Sequence, residues 1–303
     1  MTITVLATPP NPPNSDAHRA MFFWSGAVGS ADPLDTDNEV NALITFCGAV
    51  GCDVLFLDIW RYLGGGNWTA ARVSRMKSVV DGLKRSGIRV LALCGDIGWG
   101  TNHAWVMDNI VTALEHYNVL CTQASQQFDG LMLDVEYWTD EVTYPAATNC
   151  PGLCELLRAI GNRNPSWLVG VFAAFGLAAD DRAPITYNGR TQADGFHIMD
   201  ACDIVVVGDY RDTAADPGGG QIGIISCHTP WDDYATEEGR ESQLFVGVET
   251  TNVQPSYVTF YGQGKAAMET QLTLVSNQFK LANRSSYMGA CVHSYAGWSA
   301  MGA

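Results

Sequence analysis

Two carboxylates stand two residues apart at the end of an apolar run, Asp129-Gly130-Leu131-Met132-Leu133-Asp134-Val135-Glu136-Tyr137. In an extended chain, residues i and i+2 leave from the same face, so Asp134 and Glu136 present their carboxyls side by side. Two acids so placed cannot both ionise cheaply, and the pair drives one of them toward neutral pH, which suits a general acid. The bland use of the same pair is a charged strand end held by Arg or backbone amides.

Other apolar runs end in residues of related kinds. These ends carry Trp24; Asp58 with Trp60; Asp96 with Trp99; Trp138; Asp209-Tyr210-Arg211; Glu249; and His293-Ser294-Tyr295 followed by Trp298. Carboxylates mixed with tryptophans are what a sugar requires, because a pyranose offers apolar C–H faces to aromatic rings and hydroxyls to acids. Cleaving a glycosidic bond adds a proton donor and a base, nucleophile or stabiliser for an oxocarbenium-like centre. Glu136 is the expected proton donor and Asp134 its partner. Trp24, Asp58, Trp60, Asp96, Trp99, Trp138, Asp209, Arg211, His293, Tyr295 and Trp298 are the expected carbohydrate contacts. Glu249 either attacks covalently, as in retaining glycosidases, or binds a substrate hydroxyl, the role favoured here. His293 and His228 could serve as acid or base, but a lone histidine is more often a hydrogen-bonded structural residue, and His197 is read that way. Asp32, Asp35 and Asp37 read as a helix-capping run rather than a metal site.

The elements that must position these groups recur through the chain. Short apolar runs begin near Met21, Asp53, Ile88, Gly130, Trp167, Asp203, Leu244 and Tyr287. Their spacing fits one βα unit each, and continuous rather than alternating apolar residues mean strands buried on both faces. Between them lie helical stripes, such as Val73, Met76, Val80 and Leu83, or Met268, Leu272, Val275 and Phe279. Asp37 and Asn102 are expected helix N-caps and Gly87 a C-cap. The helical signal is weakest between Tyr210 and Gln243. Eight such units predict a single (β/α)8 barrel over residues 21–303, preceded by an extended Pro-rich arm at 1–20 folding over its outside, with chemistry at the C-terminal strand ends. A doubly wound open sheet is the alternative. Neither GxGxxG nor GxxxxGK[ST] is present, so no nucleotide cofactor is expected. No zinc spacing occurs, and no metal is expected, although Asp58, Asp96, Asp134 and Asp209 could share a cation.

The segment ending at Tyr137 resembles the fourth-strand signature of glycoside hydrolase family 18, the chitinases and endo-β-N-acetylglucosaminidases, DGxDxDxE. Asp129 and Gly130 match its start, Asp134 its last aspartate and Glu136 its glutamate. The resemblance implies that Glu136 protonates the leaving oxygen while Asp134 orients a substrate acetamide whose oxygen is the nucleophile. It further implies that Tyr210 assists that acetamide and that Trp298 forms the floor of the site. The family's middle aspartate is Met132 here, and its Trp and Pro are Val135 and Trp138. A non-catalytic carbohydrate-binding barrel is therefore an alternative, as is a biosynthetic lyase or isomerase.

Composition narrows the partners. The 303 residues carry a net charge of −15, and 16% are charged against 47% apolar, where about 25% charged is usual. An acidic chain without basic runs does not suit nucleic acid, and no apolar stretch is long enough to span a membrane. The expected partner is a carbohydrate; oligomeric state is not legible. The start of the chain lacks a basic stretch followed by an apolar core of roughly 7–15 residues, so a cytoplasmic location is expected, or a secreted one if a signal peptide has been removed. The nine cysteines are expected to be buried free thiols, with Cys47–Cys52 and Cys150–Cys154 the disulfide alternatives for an oxidising compartment.

Overall fold

The computed structural model describes residues 18–26, 32–63, 68–179, 182–240 and 243–302. The elements run β1 (His18–Phe23), α1 (Asp37–Val50), β2 (Val54–Asp58), α2 (Trp60–Leu63), α3 (Ala70–Arg85), β3 (Arg89–Cys94), α4 (His103–Val106), α5 (Thr112–Leu120), β4 (Gly130–Leu133), α6 (Ala146–Arg163), β5 (Leu168–Ala174), β6 (Ile185–Tyr187), β7 (Arg190–Gln192), α7 (Asp194–Met199), β8 (Ile204–Gly208), α8 (Ile224–Glu237), β9 (Gln243–Glu249), α9 (Lys265–Leu281), β10 (Tyr287–His293) and α10 (Tyr295–Ala300). Eight strands close a parallel barrel in the order β1-β10-β9-β8-β5-β4-β3-β2, with helices outside it. The protein is a single (β/α)8 barrel, and its eight strands are those expected from the apolar runs.

Alternation along each strand divides the core in two. Phe22, Phe56, Met132, Phe172, Val206 and Phe245 fill the barrel interior, while their neighbours Phe23, Leu57, Leu131, Leu133, Val205 and Val246 face the helices. The capping chemistry is local. Thr36 caps α1 in a reciprocal box with Glu39, so Asp37 is the first helical residue rather than the cap. Asn102 precedes α4 without a side-chain capping bond. Gly87, at φ +84°, takes the left-handed turn after α3. Asp37 pairs with Arg75 at 2.6 Å, and Asp32 accepts from Tyr62, so that acidic run ties α1 to its neighbours. The weak helical signal between Tyr210 and Gln243 conceals α8. A hairpin, β6–β7, was not expected; its Asn188-Gly189 turn has positive φ at both residues, as a two-residue hairpin turn requires.

β1 begins at His18, three residues inside the stretch assigned to the arm. The rest of that arm lies outside the described residues. All nine cysteines are free thiols. Among the described residues no helix is long and apolar enough to cross a membrane.

Candidate functional site

β4 and the turn after it carry the two acids. Leu131, Leu133, Val135 and Tyr137 point outward, leaving Met132, Asp134 and Glu136 on the inner face. Tyr137 locks this register: its hydroxyl donates to Asp194 at 2.8 Å, and Arg182 grips the same carboxylate from Nε and Nη2 at 2.6 Å each. Gly95 is required alongside, because a Cβ there would stand 1.8 Å from the Asp134 carbonyl oxygen. Met132 lies beneath Asp134 inside the barrel, its sulfur where a Cβ at position 170 would intrude (2.7 Å), so Gly170 makes its room.

Asp134 keeps Oδ1 buried with no hydrogen-bond partner among the described residues. Burial, and then the charge of Glu136, push its carboxyl up to about 7, with His293 opposing. Burial also raises Glu136, again against His293. The Tyr210 phenol, following β8, is raised by burial and then by Glu249, Asp134 and Glu136, so all three acids share its surroundings. Tyr210 lies 5.8 Å from Phe172 and 6.2 Å from His293, ring centre to ring centre. Trp138 completes this wall, 6.3 Å from Phe172.

Glu249 is arranged differently. One of its oxygens accepts from the Thr250 and Thr251 amides and the Thr251 hydroxyl at 2.7, 2.6 and 2.8 Å; the other meets His293 Nδ1 at 2.7 Å. Three donors thus converge on one oxygen, and the other holds the His293 bond. Burial favours its neutral form, but the His293 and Thr251 bonds outweigh it and hold the carboxyl below its usual range. At 4% exposure, Glu249 is buried with four protein donors on its carboxyl, its second oxygen carrying the His293 bond. Trp24 Nε1–H donates to His293 Nε2 at 3.0 Å. An indole nitrogen only donates, so Nε2 is the bare nitrogen and Nδ1–H donates to Glu249.

Five expected contacts, Trp24, Asp58, Trp60, Asp96 and Trp99, line one cavity of about 670 Å³ beside this centre. Asp58 accepts from the Ser25 amide and hydroxyl and from the Trp60 amide (3.1, 2.5 and 2.8 Å), so it shapes the rim. Trp105 and Asn102, absent from the expected set, line the same cavity; they ride on and before α4, in a loop excursion where no strand end marks them. Phe172 was likewise missed, being inward-facing and apolar.

Four expected contacts are elsewhere. Asp209 is fully buried outside the barrel with Oδ2 2.7 Å from His228 Nδ1, because adjacent strand residues face opposite ways and Tyr210 takes the inner side. Burial raises its carboxyl to about 6 against His228 and Arg211. Arg211 lies over the Phe175 and Tyr257 rings at 4.8 and 5.6 Å and donates to the Ile222 and Tyr210 carbonyls. Tyr295 and Trp298 turn outward on α10: Trp298 is fully buried against Phe46, and Tyr295 packs on Phe23 and Phe46. Trp298 is therefore core, not a floor. His197 is structural as expected, bonded to the Ile185 carbonyl at 2.9 Å. Among the described residues no three His, Cys, Asp or Glu side chains are grouped to hold a metal ion.

Comparison by sequence gives no match, either to a protein family or to an individual characterised protein. Solved structures do resemble the chain. A chitinase from Chromobacterium violaceum superposes with a TM-score of 0.50 at 12% identity, over 93% of this chain and 97% of its own. A chitinase from Bacteroides thetaiotaomicron gives 0.52 at 11%, over 93% and 90%. A beta-glucosidase from Exiguobacterium marinum gives 0.53 at 11%, over 84% and 78%. At these identities the likeness is one of fold, the (β/α)8 barrel.

Proposed function

We propose that the protein is a glycoside hydrolase, or transglycosidase, acting on a glycan that contains N-acetylated sugars. Glu136 is the proton donor, and Asp134 with Tyr210 holds the acetamide whose oxygen attacks the anomeric carbon. The observation that carries this is the buried, unpartnered Asp134 Oδ1 beside Glu136. A lone buried acceptor costs free energy unless a ligand satisfies it, and an acetamide N–H is the donor such a sugar brings. The Tyr210 phenol, on the same side, is free to donate to the acetamide oxygen. Burial raises the Glu136 carboxyl, the direction that suits a proton donor to the leaving oxygen. The chitinase and beta-glucosidase likenesses are consistent with a sugar site on this barrel. Covalent attack by Glu249 is disfavoured by its four bonds.

Met132 supports a second reading. Its apolar thioether stands where the resembled family has a carboxylate behind Asp134, so the barrel could bind such glycans without cleaving them. The test is a screen of aryl glycosides and oligosaccharides against wild type and Glu136→Gln. Turnover by wild type, lost in Glu136→Gln with binding kept, supports catalysis. Affinity without turnover in both proteins supports the binding barrel, and no sugar affinity in either refutes both readings.

A further inference from the structure

We propose that the cavity beside the acid pair takes a protonated amino group, so that the glycan recognised carries at least one free 2-amino sugar next to the acetamide-bearing unit. This inference rests on the glycan reading above and specifies what occupies the neighbouring cavity. The lining of that cavity combines four indole rings, from Trp24, Trp60, Trp99 and Trp105, with two carboxylates, Asp58 and Asp96. The rings make a concave wall: Trp105 lies 6.4 Å from Trp60 at 39° and 6.0 Å from Trp99 at 47°. Trp24 and Trp60 are 36% and 38% exposed, so their faces are open to a ligand. Trp24 presents only its π face, because its N–H is committed to His293.

The charges on this lining are all of one sign. No Lys or Arg lines the cavity. Arg61, the nearest in sequence, is buried with Nη2 on the Ser25 carbonyl at 2.9 Å. Asp58 accepts from the Ser25 amide and hydroxyl and from the Trp60 amide. Asp96 is exposed; Oδ1 accepts from the Gly98 amide at 2.9 Å, and Oδ2 has no hydrogen bond among the described residues. A concave, ring-lined space with carboxylates and no basic side chain in its lining favours a cation, and tryptophan is the strongest cation–π partner. An ammonium on a sugar meets both: its N–H groups reach the free Asp96 oxygen while the pyranose and its charge lie against indole faces. A uronic or sialic acid meets repulsion at the same place.

Calorimetric titration of the full chain with β-1,4-linked oligomers of glucosamine and of glucose tests this, at a pH where the amine is protonated. The two ligands differ only at C2, and neither carries an acetamide. The glucosamine oligomer is expected to bind about tenfold tighter, the scale of a charge-assisted hydrogen bond, with the advantage shrinking at high salt. Asp96→Asn preserves the capping geometry of Asp96 and is expected to remove most of that preference. Trp60→Ala is expected to weaken both ligands. Equal affinity for the two oligomers in wild type, or a preference untouched by Asp96→Asn, overturns the amine assignment and leaves the glycan reading standing. Binding of neither, nor of N-acetylglucosamine oligomers, overturns both.

Discussion

The C-terminal ends of β4 and β9 both deliver acids to the mouth of one barrel, yet the two are bonded in opposite ways. At β4, Asp134 has a buried oxygen with no partner and a carboxyl pushed up to about 7. At β9, Glu249 accepts four hydrogen bonds, and those from His293 and Thr251 hold its carboxyl below the usual range. The difference lies in what surrounds each acid. Thr250 and Thr251 turn their amides back onto Glu249, and His293 arrives on the adjacent strand β10, whereas Asp134 is flanked by outward-facing apolar residues and has Met132 below. A carboxylate held by four donors suits a scaffold, and one with a bare buried oxygen suits a ligand. On that contrast the proposed chemistry is placed at β4, with β9 and β10 as the wall.

The sharpest way to break this comparison is kinetic. Glu136→Gln is expected to reduce kcat by about 10²–10⁴, the usual contribution of a positioned general acid. Glu249→Gln is expected to reduce it less than tenfold. Steady-state rates on an aryl N-acetylglucosaminide decide it, and a larger loss in Glu249→Gln would reverse the assignment.

Asp134 should next reveal itself in stability. Its carboxyl holds a proton to about 7 in the fold but only to about 3.8 when unfolded. The folded chain therefore binds the extra proton between those values. The associated stability is complete below 3.8, falls as pH rises, and is lost above about 7. Asp134→Asn, neutral throughout, is expected to match wild type in acid and to exceed it by up to about 4 kcal/mol above pH 7. Denaturant titrations at several pH values give the gap; a gap that does not widen with pH refutes the buried, protonated acid.

Glu249→Gln probes the β9 end through its hydrogen-bond directions. If the glutamine keeps its carbonyl on the Thr250 and Thr251 donors, its NH2 faces His293 Nδ1. That nitrogen must then accept, the ring proton moves to Nε2, and it meets the Trp24 N–H donor against donor. Loss of this bond, with two donors left facing each other, is expected to cost about 2 kcal/mol, and nitrogen NMR should show the His293 tautomer exchanged. An unchanged tautomer contradicts the chain Trp24–His293–Glu249.

The sequence made the barrel legible because all eight strands are short and apolar on both faces, a pattern few other elements share. It made Asp134 and Glu136 legible because i, i+2 alternation is local. The same rule, applied to Asp209 and Tyr210, would have sent one of them outward, and the structure sends Asp209. Tyr295 and Trp298 were misplaced because α10 starts directly after β10, and the direction in which a helix leaves a strand end is set by packing on Phe46, far away in the chain. The state of Glu249 was hidden for a similar reason: the bond to its second oxygen comes from His293, 44 residues on. Trp105 carried no periodic signal, since it sits in the excursion between β3 and α5.

The smallest effect separates a pinned histidine from one oriented by its acid alone. Trp24→Phe keeps a ring at the cavity rim and removes only the N–H that donates to His293 Nε2. Because Glu249 still accepts from Nδ1–H at 2.7 Å, the ring keeps its tautomer, and Nε2 turns to water at the open mouth. One partly exposed neutral hydrogen bond is lost, so stability should fall by about 1 kcal/mol or less, half or less of the cost of Glu249→Gln. The two variants together assign direction to the chain: the carboxylate fixes the imidazole, and the imidazole fixes the indole. Denaturant unfolding and the same nitrogen spectrum read both. If Trp24→Phe exchanges the tautomer, or costs as much as Glu249→Gln, then the indole rather than the carboxylate orders this end of the barrel.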